Sequence, residues 1–141
     1  MDRSAQAVWQ GGLKDGKGIL STQSGVLHET QYSFNTRFEN GQGTNPEELI
    51  AAAHAGCFTM ALSGQLSSVD KPPQQLDTTA TVTMEKTDDG PTVTKIHLKT
   101  RARVPGIEKQ QFDELANKAK EGCPISRLLK AADISLDAQL V

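Results

Sequence analysis

The chain has 141 residues, which suits one domain and leaves no room for two ordinary ones. Its 15 Lys and Arg against 17 Asp and Glu give a formal net charge of −2, which excludes a nucleic-acid or anionic-membrane binder working by bulk charge. Only 36% of residues are hydrophobic and 4% aromatic, a lean core for this length that already suggests further burial by oligomerisation.

The N-terminal third reads as β-structure. Ala5 to Gln10 is a predicted strand carrying Trp9, followed by a Gly11-Gly12 turn. Lys14 to Gly18 reads as a hairpin tip leading into Ile19-Leu20-Ser21-Thr22. Ser24-Gly25 turns the chain into an extended segment, Val26 to Phe38, interrupted around Tyr32-Ser33. After the Asn40 to Gly43 loop comes a helix start: Asn45 as N-cap, Pro46 at the first helical position and Glu48 at the third. From Leu49 to about Leu66 the chain is apolar and rich in Ala and Gly, as expected of a central, buried helix that another backbone can approach closely.

Lys71-Pro72-Pro73 breaks the chain. Leu76 to Lys86 alternates Ala80, Val82 and Met84 against Thr79, Thr81 and Thr83, and Asp88 to Pro91 turns it into a partner strand, Thr92 to Val104. Glu108 to Glu121 is a predicted helix with Phe112, Leu115, Ala116 and Ala119 on one face and Gly122 as its C-cap. Cys123-Pro124 opens a short helix, and Ile134 to Leu140 alternates as a last strand. The order βββ-α-ββ-αα-β predicts an α+β domain over residues 1–141 with mainly antiparallel sheet.

No run of 18 apolar residues is present, so no transmembrane helix is expected, and the first residues lack the apolar stretch of a signal peptide. A reducing, cytoplasmic compartment is therefore the expectation. Two cysteines, Cys57 and Cys123, exclude a disulfide-dense scaffold and leave structural, metal-binding and redox roles open. Cys57 lies mid-helix among apolar neighbours. Such a thiol is either a small buried hydrophobe or a reactive group whose raised pKa needs a nearby cation. Cys123, between Gly122 and Pro124, falls at a helix N-cap, where free amides and the dipole favour a thiolate; it could equally just fill a tight turn. Arg37 is either a solvated strand arginine or the cation that Cys57 needs. Glu47 is either a first-turn glutamate or the carboxylate that orients Arg37. His54 and Cys57, three apart on one helix face, could begin a metal site with Cys123, His28 or His97, although no Cys-x-x-Cys or His-x-x-x-His spacing supports one.

The stretch from Gly43 through Asn45-Pro46-Glu47-Glu48 and Ala53-His54-Ala55-Gly56-Cys57-Phe58 resembles the signature of the OsmC/Ohr family of hydroperoxide reductases. So do Val104-Pro105-Gly106-Ile107, Glu121-Gly122-Cys123-Pro124-Ile125-Ser126, Trp9, Gly18, Ser24 to Leu27 and Tyr32 to Phe38. The length and the Phe34 to Phe38 segment place it nearer the osmotically inducible OsmC branch. The resemblance implies an intertwined α+β homodimer, with sheets wrapped around a long central helix and two sites at the subunit interface. It implies thiol-dependent reduction of organic hydroperoxides, and more weakly of hydrogen peroxide, without metal, haem or other cofactor. Position by position, Cys57 then matches the peroxidatic cysteine, Cys123 the resolving one, Arg37 the activating arginine and Glu47 its orienting glutamate. An external dithiol of the dihydrolipoyl type would return the pair to thiols, and the role would be defence against oxidative and osmotic stress.

Local reasoning alone favours Cys123 as the attacking thiol, and the resemblance reverses that order. Glu47 and Cys57 are ten residues apart, about 15 Å along one helix, and helical side chains lean toward the N-terminus. A Cys57–Arg37–Glu47 cluster within one chain would need a bent helix; two helices crossing antiparallel near Ala52 would instead build each site from both chains. The competing classes are a metal- or small-ligand-binding stress protein using His54 and Cys57, and a non-catalytic dimer with inert cysteines.

Overall fold

The structure is a computed structural model of residues 1–141. Its elements are β1 (Ala5–Gln10), β2 (Lys17–Thr22), β3 (Thr30–Tyr32), α1 (Phe34–Phe38), α2 (Pro46–Ser67), β4 (Gln75–Thr87), β5 (Gly90–Arg103), α3 (Lys109–Gly122), α4 (Pro124–Leu128) and β6 (Asp133–Leu140). The α+β class and mainly antiparallel sheet follow the sequence. Residues group into two compact units, Met1–Leu49 and Ile50–Val141.

In the first unit β1, β2 and β3 form an antiparallel sheet in that order. Gly18 stands opposite both Trp9 and Tyr32 in the ladder. The two rings close over it with centroids 5.4 Å apart, and a Cβ there would lie 2.4 Å from Tyr32 Cε1. Only glycine leaves room for that aromatic pair. Gly43, at φ +134°, takes the chain toward α2 in a conformation that L side chains rarely adopt.

Phe34 to Phe38 departs from the extended segment read in the sequence: it is a short helix. Ser33 explains why, because its Oγ accepts from the Thr36 amide at 3.2 Å while Thr36 Oγ1 accepts from the Ser33 amide at 2.8 Å. This reciprocal cap stabilises a helical turn against the β-prone aromatics around it. Arg37 is thus a helix residue, not a strand residue.

In the second unit β4 and β5 pair antiparallel, and β6 returns through α3 and α4 to lie parallel beside β5. Along β5, Ile96, Leu98, Thr100 and Ala102 are buried while Lys95, His97, Lys99, Arg101 and Arg103 face out, the period-2 pattern of a one-sided sheet. The buried face packs on Phe58, Leu62 and Leu66 of α2 and on Phe112, Leu115, Ala116 and Ala119 of α3. Each of the large side chains contributes about 1.5–3 kcal/mol by leaving water. Hydroxyls of Thr59, Thr78 and Thr100 form a hydrogen-bonded chain from α2 across the sheet, so buried Thr100 is satisfied.

The helix start is as read: the Glu48 amide donates to Asn45 Oδ1 at 2.8 Å. The burial of α2 is not. Within the single chain only the stripe His54, Phe58, Leu62, Leu66 is buried, and Met60 is 78% exposed. Elements of the same chain reach one side of the helix, and Ala52, Ala53, Gly56 and Gly64 stay open with Met60 on the other. By length and composition α2 also passes as a membrane-crossing helix, which the lack of an unbroken apolar run did not suggest. Its buried stripe is nevertheless part of a packed core.

Candidate active site

The second unit brings the two cysteines together although 66 residues separate them. Cys57 lies on α2 and Cys123 at the junction of α3 and α4, and their sulfurs are 2.6 Å apart as free thiols. Cys123 is fully buried, while Cys57 keeps partial access to solvent. The junction is local in origin. The Cys123 amide closes the last turn of α3 on Ala119 O at 3.0 Å, and Pro124 starts α4 at its first position.

Cys123 is the N-cap of α4, as its flanking residues imply, but its side chain makes no capping hydrogen bond. Proline at 124 has no N–H, so the first free amide of α4 is that of Ile125. That amide acts on the Cys57 thiol instead, favouring its thiolate. Burial pushes the Cys57 thiol above its ordinary value, the adjacent Cys123 thiol raises it further, and the Ile125 amide pulls it back down. The helix-start donor that sequence reasoning credited to Cys123 therefore serves Cys57. The signal was present in Cys-Pro-Ile, since a proline at the first position hands the donor role to the next residue.

The first unit brings Arg37 and Glu47 together. Arg37 Nε donates to Glu47 Oε1 at 3.1 Å and Arg37 Nη2 to the same oxygen at 2.8 Å, with Nε also 3.3 Å from Oε2. This forked contact fixes the guanidinium plane. Arg37 also lies 5.4 Å from the centre of the Phe38 ring, and Phe38 meets Phe34 at 4.8 Å. These residues, with Trp9, Leu13 and Tyr32, line a cavity of about 270 Å³, largely apolar with a single cation.

His54 is fully buried, and its Nε2 lies 2.7 Å from Ser126 Oγ. His97 meets Ser135 on an exposed face. His28, His54, His97 and the cysteines form no group of three side chains placed to hold a metal ion. Ser126 carried no signal by itself, yet it follows Cys123 by three residues as His54 precedes Cys57 by three.

The sequence pattern of the OsmC family, described as "OsmC-like protein", matches residues 39–137. Peroxiredoxin OsmC of Escherichia coli (strain K12) is 54% identical over 138 residues, spanning 98% of this chain and 96% of that protein. This chain belongs to the OsmC family. Organic hydroperoxide resistance protein OhrB of Bacillus subtilis (strain 168) is 28% identical over 125 residues, covering 85% of this chain and 88% of OhrB. Among solved structures, an organic hydroperoxide resistance protein OsmC from Legionella pneumophila superposes with a TM-score of 0.71 at 26% identity, covering 96% of each chain. The OsmC fold is therefore the fold of this chain.

Proposed function

We propose that this chain is a cysteine peroxidase that reduces organic hydroperoxides to alcohols. The observation that carries the proposal is the Cys57–Cys123 sulfur pair, with Cys57 the more accessible of the two. The names of its relatives, a peroxiredoxin and organic hydroperoxide resistance proteins, support the same reading.

Cys57 thiolate attacks the terminal oxygen of the peroxide. The O–O bond breaks, the alkoxide takes a proton and leaves as alcohol, and Cys57 becomes a sulfenic acid. Cys123 then attacks the oxidised sulfur; a disulfide forms, the S–O bond breaks, and hydroxide takes the Cys123 proton to leave as water. An external dithiol restores both thiols and is itself oxidised to a disulfide.

The raised Cys57 pKa asks for a cation, and Arg37 with its orienting Glu47 is our candidate. A guanidinium in an apolar cavity suits a peroxide whose oxygens are polar and whose organic tail is not. In this reading the protein works as a cytoplasmic homodimer, each chain covering the open side of the other's α2. The test is thiol titration before and after one equivalent of a bulky hydroperoxide. Loss of both thiols per chain with release of the matching alcohol is expected; unchanged thiols would refute the peroxidase.

A further inference from the structure

The sulfur contact is not the only link between α2 and the α4 segment. His54 on α2 meets Ser126 on α4 with Nε2 2.7 Å from Oγ. His54 precedes Cys57 by three residues and Ser126 follows Cys123 by three, so each tie is about one helical turn from the thiol on its own segment. His54 is 0% and Ser126 4% exposed.

Several observations make this pair unusual. His54 continues the stripe of Phe58, Leu62 and Leu66, where a fourth apolar side chain would bury at lower cost. Its Nδ1 is buried without any partner. Donation from Nε2–H to Ser126 leaves only a lone pair bare, whereas the opposite tautomer would strand an N–H. Burial lowers the imidazole pKa below its ordinary value, which keeps the ring neutral near pH 7. Meanwhile α4 has five residues and no side-chain cap at Cys123. So short a helix does not hold its own position, and tertiary ties must do so.

We propose that the His54–Ser126 hydrogen bond is a positioning clasp for disulfide formation, holding α4 on α2 so that Cys123 stays within reach of Cys57 after oxidation. The proposal rests on the peroxidase reading above. Once Cys57 is a sulfenic acid, disulfide formation needs the Cys123 sulfur in line with the S–O bond that breaks, a placement lost if α4 opens away from α2. A tie one turn away limits the opening and favours attack by Cys123 over its competitor, a second peroxide that carries Cys57 on to sulfinic acid. His54 and Ser126 touch no reacting atom; they act through the placement of Cys123.

Ser126→Ala tests this with minimal change of volume, and Ser126→Thr keeps the hydroxyl. After rapid mixing with an alkyl hydroperoxide, disulfide formation in Ser126→Ala should slow about tenfold relative to sulfenic acid formation, and the sulfinic fraction found by mass spectrometry should rise. Equilibrated against a thiol–disulfide buffer without peroxide, the Cys57–Cys123 couple should become about 30 mV less negative, the equivalent of a tenfold loss in effective thiol concentration. Ser126→Thr should restore both values, and His54→Gln should resemble Ser126→Ala. Wild-type partition and potential in Ser126→Ala would overturn the clasp. Because the potential is set without peroxide, it tests the clasp even if the peroxide chemistry of Cys57 were to fail.

Discussion

A thiol on an apolar helix loses the water that would stabilise its charge, and Cys57 shows this in a pKa pushed up by burial and by Cys123. The Ile125 amide opposes the shift but does not cancel it. If Arg37 supplies the remaining stabilisation, Arg37→Ala should leave Cys57 titrating above the usual thiol range. Alkylation by iodoacetamide would then keep rising with pH where the wild type has levelled off; identical profiles would remove Arg37 from this role. Cys57→Ser should abolish turnover, whereas Cys123→Ser should permit one oxidation and then accumulate sulfinic acid, both visible by mass spectrometry. His54 gives a pH signature of another kind. Its folded-state pKa is depressed while the unfolded chain protonates near 6.5, so its stabilising contribution is complete above that pH and is lost as pH falls toward the folded value. The melting temperature of His54→Phe should therefore fall less between pH 7 and pH 5 than that of the wild type. Residue types singled out Cys57, Cys123, Arg37 and Glu47 in the sequence, and only the family resemblance gave each of them a role. The Ser126 partner was not legible, because a hydrogen bond across 72 residues, as between His54 and Ser126, leaves no local pattern.

Among the elements, strands and long helices were legible because their periodicities are read directly by a one-sided sheet and a packed helix face. Lys109–Gly122 and the alternation along β5 are examples. The Phe34 to Phe38 turn was not, since aromatic residues suggest a strand while the Ser33–Thr36 cap decides for a helix. That cap orients the segment carrying Arg37. Ser33→Ala should cost about 1 kcal/mol of local stability. Peroxidase activity should fall with it, and a wild-type rate would show that α1 does not depend on its cap. In the sheet of the first unit, Gly18→Ala would force a methyl against Tyr32 and Trp9. A loss of about 1–3 kcal/mol is expected from such overpacking. The fluorescence of the only tryptophan reports it directly, as a red shift at temperatures where the wild type is still folded.

On the scale of the whole molecule, the lean composition and the open side of α2 belong together. Ala52, Ala53, Gly56 and Gly64 permit close approach of a second helix, and Met60 would be buried by it. The sequence reading of α2 as apolar over most of its circumference fits the proposed dimer better than the chain alone, because composition does not distinguish burial within a chain from burial between chains. Sedimentation should find a dimer, and Met60→Glu should shift it toward monomer; an unaffected dimer would place the interface elsewhere. If Arg37 serves the partner's thiol, mixing inactive Cys57→Ser chains with inactive Arg37→Ala chains should restore turnover, since each mixed dimer gains a working site. No recovery would mean that Arg37 serves its own chain.

The unequal exposure of the two sulfurs also gives the catalytic cycle a direction. With both thiols free, Cys123 is walled in and Cys57 is the one of the pair that solvent can approach. An incoming dithiol must therefore form its mixed disulfide with Cys57 and expel Cys123 as the leaving thiolate. Electrons enter by one door: after one peroxide oxidation, a monothiol should be trapped as a mixed disulfide on Cys57 in Cys123→Ser, and should find nothing to hold in Cys57→Ser.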